Sequence, residues 1–161
     1  MVQAEVDSVA TILDTQSKSA IEEWIRRVKA DKDICAIELD DETRSCHLPQ
    51  LFKDLVHRLR NPLPLGTKSE QSRSAHEHGV TRREQGYSAA MIVEESRILE
   101  VSIFDTLQKN GHHIDFNLLM PEVMVIADEV DFQLAQAMTS YNGESKTVED
   151  HRTGSGVNVM A

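Results

Sequence analysis

The stretch HEHGVTRREQGYS, residues 76–88, concentrates side chains that could do chemistry: His76 and His78 around Glu77, then Arg82, Arg83 and Glu84. Imidazole, carboxylate and guanidinium groups this close could hold a metal, accept a phosphoryl group or form a titratable polar cluster. Metal fits least. On a helix His76 and His78 point about 200° apart, whereas one ion takes histidines at i and i+4, as in HExxH. His112 and His113 follow Gly111 at an expected helix end, where imidazoles simply meet the C-terminal dipole. Histidine phosphotransfer is a second possibility, since such modules are acidic helical bundles with an exposed helical histidine, and His76 or His78 could play that part. However, those modules look like HxxKG, and a kinase's own phosphoacceptor helix resembles HExxxP, where this chain has Thr81 in place of the proline. No glycine-rich phosphate loop, Ser/His/Asp order or reactive-cysteine context accompanies the stretch. No catalytic residue is expected, and the protein reads as a non-enzyme.

The elements that must position these side chains are helical throughout. Ala20, Ile21, Trp24, Ile25 and Val28 form a stripe at the end of a first helix, from about residue 8 to 30. The loop ADKDICAIELDDETRSC has room for one short helical turn after Asp40 or Asp41, and only CAIEL has any strand character. Leu48, Leu51, Phe52, Leu55, Val56 and Leu59 face one way on a second helix beginning near Pro49, which NPLPLG stops. Thr67 with Glu70 reads as a capping box opening a third helix to about Gly86. Ser88 caps a fourth, to about Gly111, and a fifth runs from Asp115 or Pro121 to Tyr141. The expected fold is all-α, a bundle of about five helices. Residues 1–141 make the domain, and 142–161, with three of the chain's seven glycines and no stripe, a flexible tail or linker.

The third helix is the anomaly. Between Lys68 and Gln85 its only apolar residues are Ala75, Gly79 and Val80, so amphipathic burial cannot hold it. Gly79 costs about 1 kcal/mol relative to alanine inside a helix. Ser72, Ala75 and Gly79 share a face, and small residues there let another backbone come close. The fourth helix has the opposite character. Beside its main stripe (Ala89, Ile92, Ser96, Leu99, Ile103, Leu107), Val93, Val101 and Phe104 widen the apolar arc. In the fifth, Met120, Val123, Ala127, Val130, Leu134, Ala137 and Tyr141 are spaced as a heptad seam. That seam can face its own core or a twin helix. The excess apolar surface argues for a homodimer, with contacts at Val93, Val101 and Phe104 and along Val123, Val130 and Leu134.

The acidic balance, 17 basic against 27 acidic residues and a net charge of −10, argues against nucleic acid and anionic membranes as partners. No apolar run approaches the roughly 20 residues of a membrane span. Cys35 and Cys46 form no CxxC and suggest reduced thiols, and the opening MVQAEVDSVA does not look like a signal peptide. A cytoplasmic location is expected.

EEWIRRVKAD, HLPQLFKDLVHRLR and HGVTRREQGYSAAMIVEESRIL together resemble the RsbRD N-terminal domain family over about residues 20–141. Its members are sensory domains at the N-termini of stressosome RsbT co-antagonists and of many bacterial sensor histidine kinases. The third segment is similar to the family's HGxxRxxQG(Y/F)…LvxEyrxLR, matched at His78, Gly79, Arg82, Gln85, Gly86, Tyr87, Glu95, Arg97 and Leu99. Ser96 departs where an aromatic is usual, and Glu100 where the family tends to carry arginine. The resemblance implies an input module, with a signal or small ligand it does not define and an output domain, attached or separate. His78 and Arg82 are i, i+4 neighbours, and a tight turn at Gly86 should return Glu95 opposite them. A polar network of His78, Arg82 and Glu95, joined through the resemblance by Tyr87 and Arg97, is therefore expected, with a histidine that titrates near neutral pH. Haem, weighed because related stressosome sensors are globin-like, would need His57, His76 or His78 as a ligand in a highly charged segment; neither haem nor a metal is expected as a cofactor.

Overall fold

The computed structural model describes residues 8–67 and 72–153, with side chains up to residue 143. Seven helical segments follow in order: α1 Val9–Lys29, α2 Lys32–Cys35, α3 Asp41–Ser45, α4 Leu48–Arg60, α5 Arg73–Glu84, α6 Ala89–Asn110 and α7 Phe116–Thr153. The fold is all-α. There is no strand among the described residues, and CAIEL instead runs from the end of α2 into extended chain. No helix among the described residues is long and apolar enough to cross a membrane.

Short polar side chains set most helix starts by accepting bonds from otherwise orphaned N–H groups. Ser8 accepts from Thr11 N, Asp31 from Asp33 N and Ile34 N, Asp40 from Thr43 N, and Ser88 from Met91 N. Pro49 lies in the first turn of α4, where its missing N–H costs nothing. Two boundaries differ from the sequence expectation. The helix holding the polar stretch starts at Arg73, with Ser72 accepting from Ala75 N; Glu70 of the proposed capping box lies outside the described residues. The last helix passes Tyr141 and continues to Thr153, so the expected domain limit is not a helix end. The rest of the proposed tail, 154–161, lies outside the described residues.

The core forms where α1, α4 and α6 bring their stripes together, around Leu13, Trp24, Val28, Leu48, Leu55, Ile92 and Ile103, each nearly inaccessible. Helix α7 closes the bundle with Ile126, Val130 and Ala137 buried, and with Leu134 and Tyr141 packed against the core. The later part of its heptad seam, from Val130 to Tyr141, therefore serves its own bundle, while Met120 at its start stays exposed. Val130 and Leu134, expected at a dimer contact, are committed to the interior.

Helix α5 packs mainly on α7, and it does so without a stripe. A Cβ built on Gly79 would overlap the carbonyl oxygen of Ala137 and the Oγ of Ser140. The two backbones touch at a point only glycine allows. The Ser140 hydroxyl is within donating distance of the carbonyls of His76 (2.8 Å) and Ala137 (2.9 Å), fastening the crossing. Gly86, with φ +90°, then makes the left-handed turn into α6. Gly79→Ala should gain about 1 kcal/mol of helix propensity but lose more through overpacking, for a net destabilisation of about 1–2 kcal/mol in urea unfolding. A neutral or stabilising outcome would show that α5 and α7 lie farther apart.

Candidate functional site

The polar residues of α5 converge on a buried network. Arg82 is 1% exposed and Glu95, on α6, 3%. All three guanidinium nitrogens of Arg82 are occupied: Nε donates to Glu95 Oε2 (3.0 Å), Nη1 to Gln85 Oε1 (2.8 Å) and Nη2 to the carbonyl of Arg44 (2.6 Å). The other carboxylate oxygen, Oε1, accepts from the Tyr87 hydroxyl at 2.7 Å. That hydroxyl in turn accepts from Arg44 Nη1, while Arg44 Nη2 donates to the Ile37 carbonyl. The Arg82 guanidinium also lies 4.5 Å from the centre of the Tyr87 ring, a cation–π contact.

The network reaches the neighbouring helices. Trp24 on α1 donates its indole N–H to the backbone carbonyl of Glu95 (3.1 Å). Tyr141 on α7 donates its hydroxyl to the carbonyl of Tyr87 (2.8 Å), and the carbonyl of Tyr141 accepts from Arg83 Nη1 (2.9 Å). Helices α1, α3 and α7 are thus tied to the network that α5 and α6 build around the turn Gln85–Tyr87.

His78 takes a different place from the one its spacing suggested. Its ring stacks on that of His47, centroids 3.7 Å apart and planes 17° from parallel, and Trp24 meets His47 edge-on. Part of each histidine reaches solvent, but the rings are packed inside. Burial first, and the Arg82 cation second, hold His78 down at about 3. Burial, then His78 and Arg82, hold His47 well below the usual histidine range. The expectation of a histidine titrating near neutrality is overturned: the adjacent charge that dominates is Arg82, and Glu95 is spent on Arg82 and Tyr87. Burial also raises Glu95, against the lowering pull of Arg82, Tyr87 and Arg44, and pushes the Tyr87 hydroxyl up.

A cavity of about 40 Å³ adjoins the stack, lined by Trp24, His47, His78, Glu95, Ser96 and Gln133 among apolar side chains of α4, α6 and α7. It has room for one or two waters and not for a macrocycle. The buried His47 Nδ1, which has no hydrogen-bond partner, belongs to this region. His57 and His76 are exposed, on α4 and α5, and among the described residues no three histidine, cysteine, aspartate or glutamate side chains are grouped to hold a metal.

Spacing found Arg82, Glu95 and the Gly86 turn where the structure brings them together, and Gly79 as a packing position; the resemblance added Tyr87, which joins them. Arg97, also added through the resemblance, lies elsewhere: its side chain is on the outer surface of α6, paired with Glu94 at 2.9 and 2.5 Å. Arg44 and His47 were missed because they sit in and after a short connecting helix, where no periodicity marks a buried face. Trp24 was legible as a core residue, but its role as a donor to Glu95 was not. No family model, curated protein or solved structure matches the chain.

Glu95→Ala leaves Arg82 buried without its counter-charge, and should cost about 3–5 kcal/mol in chemical unfolding. A loss under 1 kcal/mol would mark the pair as a surface contact. The histidines carry a pH signature. Their folded pKa values lie below the ordinary 6.5, so the folded state binds fewer protons than the unfolded chain under acid conditions. Their contribution is whole above about pH 6.5 and declines as pH falls towards the folded values, by up to about 1.4 kcal/mol per pH unit for each. The double variant His47→Gln/His78→Gln should lack this component. The difference between its stability-versus-pH curve and that of wild type is therefore the quantity to measure from pH 7 to 5; parallel curves would contradict the buried neutral stack.

Proposed function

We propose that the chain is a non-catalytic signal-input module, of the kind found in bacterial sensor histidine kinases and stressosome-type regulators, which works as a dimer in the cytoplasm and hands a change of helix packing to an output partner. The observation that carries this reading is the Arg82–Glu95–Tyr87–Arg44 network. It spends its charged groups on one another and on backbone carbonyls of several helices, which suits coupling rather than chemistry. Its tie to Tyr141 gives the coupling a direction, along the helix that extends farthest towards the C-terminus. The resemblance of residues 20–141 to the RsbRD N-terminal domain family supports the same role, and the free Cys35 and Cys46 suit a reducing compartment. A signal that alters the small cavity would act on Glu95 directly, since Glu95 lines it beside the two stacked histidines.

Histidine phosphotransfer is retained as the alternative on one observation: His76 is exposed on α5. The packed ring of His78 makes it a poor acceptor. Incubation with acetyl phosphate and with a phosphorylated receiver domain, followed by mass spectrometry, should leave His76 unmodified; phosphohistidine at that position would replace the sensory role with phosphotransfer.

Coupling is tested by hydrogen exchange on Tyr87→Phe, which removes the hydroxyl shared by Arg44 and Glu95 but leaves the backbone carbonyl that Tyr141 uses. Exchange should rise in α3, in α5 and in α7 near Tyr141 together. A rise confined to the first turn of α6 would show that the network does not couple the helices.

A further inference from the structure

A second cluster of charges lies at the N-terminal end of α5, where its first turn meets α4 and α7. A cleft of about 730 Å³ opens there, with Asp54, Arg58, Ser72, Arg73, Glu77 and Glu129 on its walls. Arg58 is 5% exposed. Its Nη2 donates to Asp128 Oδ2 at 3.0 Å, but Nε and Nη1 are buried without an acceptor. A guanidinium this deep normally has every donor occupied, as Arg82 does. The first turn of α5 adds donors beside it. Ser72 Oγ caps Ala75 N, so the N–H groups of Arg73 and Ser74 have no acceptor within the helix. The Ser72 N–H donates to Gln136 Oε1 (2.6 Å), and Gln136 Nε2 is left buried and unpartnered as well.

The opposite need stands one turn away. Gln133 Nε2 donates to both Asp54 Oδ2 and Glu129 Oε1, each at 3.2 Å, and so draws together one carboxylate from α4 and one from α7. Two carboxylates on a single amide are short of positive charge. Burial raises Glu129, and Asp54 and Asp128 add to that rise against the pull of Gln133 and Arg58. Asp54 and Arg58 are i, i+4 neighbours on α4, a spacing of about 5–6 Å between Cβ atoms. The cleft therefore presents unmet donors and undersupplied acceptors about one helical turn apart.

Neither a bare anion nor a bare cation meets both needs. An anion at Arg58 would face Asp54 and Glu129, and the other arginine on the wall, Arg73, is already paired with Glu77 at 2.8 Å. A cation at the carboxylates would leave the Arg58 donors without a partner. A molecule that carries both charges on neighbouring atoms satisfies the two together. We propose that the cleft binds a small zwitterion of the α-amino-acid type, its carboxylate against Arg58 and the first turn of α5, its ammonium against Asp54 and Glu129. Held by one hydrogen bond, to Asp128, the Arg58 side chain is free to turn its other donors to the ligand. Leu63 and Phe132, also on the wall, give an apolar side chain a place to lie. The site is separate from the Arg82 network, and binding at it does not depend on the signalling role proposed above.

The test is a titration of the isotope-labelled chain, followed by amide chemical shifts. The probes are L-leucine and two analogues that each lack one charge: 4-methylpentanoate, without the ammonium, and 3-methylbutylamine, without the carboxylate. L-Leucine should shift the amides of Ser72–Ala75 and saturate. Each analogue should bind at least about tenfold more weakly, the loss expected for one charged hydrogen-bonded contact. Glu129→Gln should weaken L-leucine by a similar factor and leave 4-methylpentanoate unchanged, whereas Arg58→Gln should weaken both. A melt by circular dichroism establishes that each variant is folded; if Arg58→Gln is not, the Glu129→Gln comparison still decides. An analogue that binds as tightly as L-leucine would overturn the zwitterion. Unchanged L-leucine binding in the folded variants would overturn the placement of the site, and so would shifts confined to residues away from the cleft. No shifts with L-leucine, L-alanine and glycine alike would overturn the proposal outright.

Discussion

The rest of the structure depends on bringing the Arg82 guanidinium inside. A buried cation is tolerated only when its charge is balanced and each of its donors finds an acceptor. Here Glu95 supplies the charge, while the Gln85 side chain and the Arg44 carbonyl supply the remaining acceptors. Each fixes an element: Glu95 sets the rotation of α6, Gln85 the end of α5, and the Arg44 carbonyl the position of α3. The carboxylate then requires its own second donor, which selects Tyr87 just beyond the Gly86 turn. One charge thus specifies the arrangement of three helices that hydrophobic burial alone would leave free to slide.

Helix α5 shows why such specification is needed. Lacking an apolar stripe, it is held on one side by charge and on the other by contact of its backbone with α7 at Gly79. The two attachments differ physically. The ion pair is directional and sensitive to the electrostatic surroundings, whereas the backbone contact is steric and fixes distance. At the Gly79 crossing little compressible side-chain material lies between α5 and α7, so a shift of one backbone there cannot be absorbed by side-chain rearrangement.

What could be read from the sequence follows from this physics. The Ser88 cap, the Gly86 turn and the pairing of Arg82 with Glu95 were legible because all are set by local spacing across two helices and one turn. The heptad spacing of α7 was legible as an apolar face, but periodicity does not say which neighbour that face meets; Val130 and Ala137 turn inward. His47 and Arg44 could not be found this way. Their burial is imposed from outside, by an arginine and a histidine more than thirty positions later in the chain. The titration of His78 was misjudged for a related reason. Spacing placed a carboxylate nearby, but the hydrogen bonds that commit it to Arg82 and Tyr87 are three-dimensional facts.

The same commitment separates the protein's charges into two settings. Inside, burial first and the Arg82 cation after it keep the stacked imidazoles neutral, so the stack holds one protonation state throughout the neutral range. Where α6 and α7 meet away from the network, burial first and the neighbouring Asp131 after it bring Glu100 to about 7. Helices α6 and α7 carry both settings on opposite sides: Glu95 and Tyr141 face inward while Glu100 and Asp131 meet outside. The interior therefore holds the register of the two helices, and the charge that can change under mild conditions sits on the surface they share.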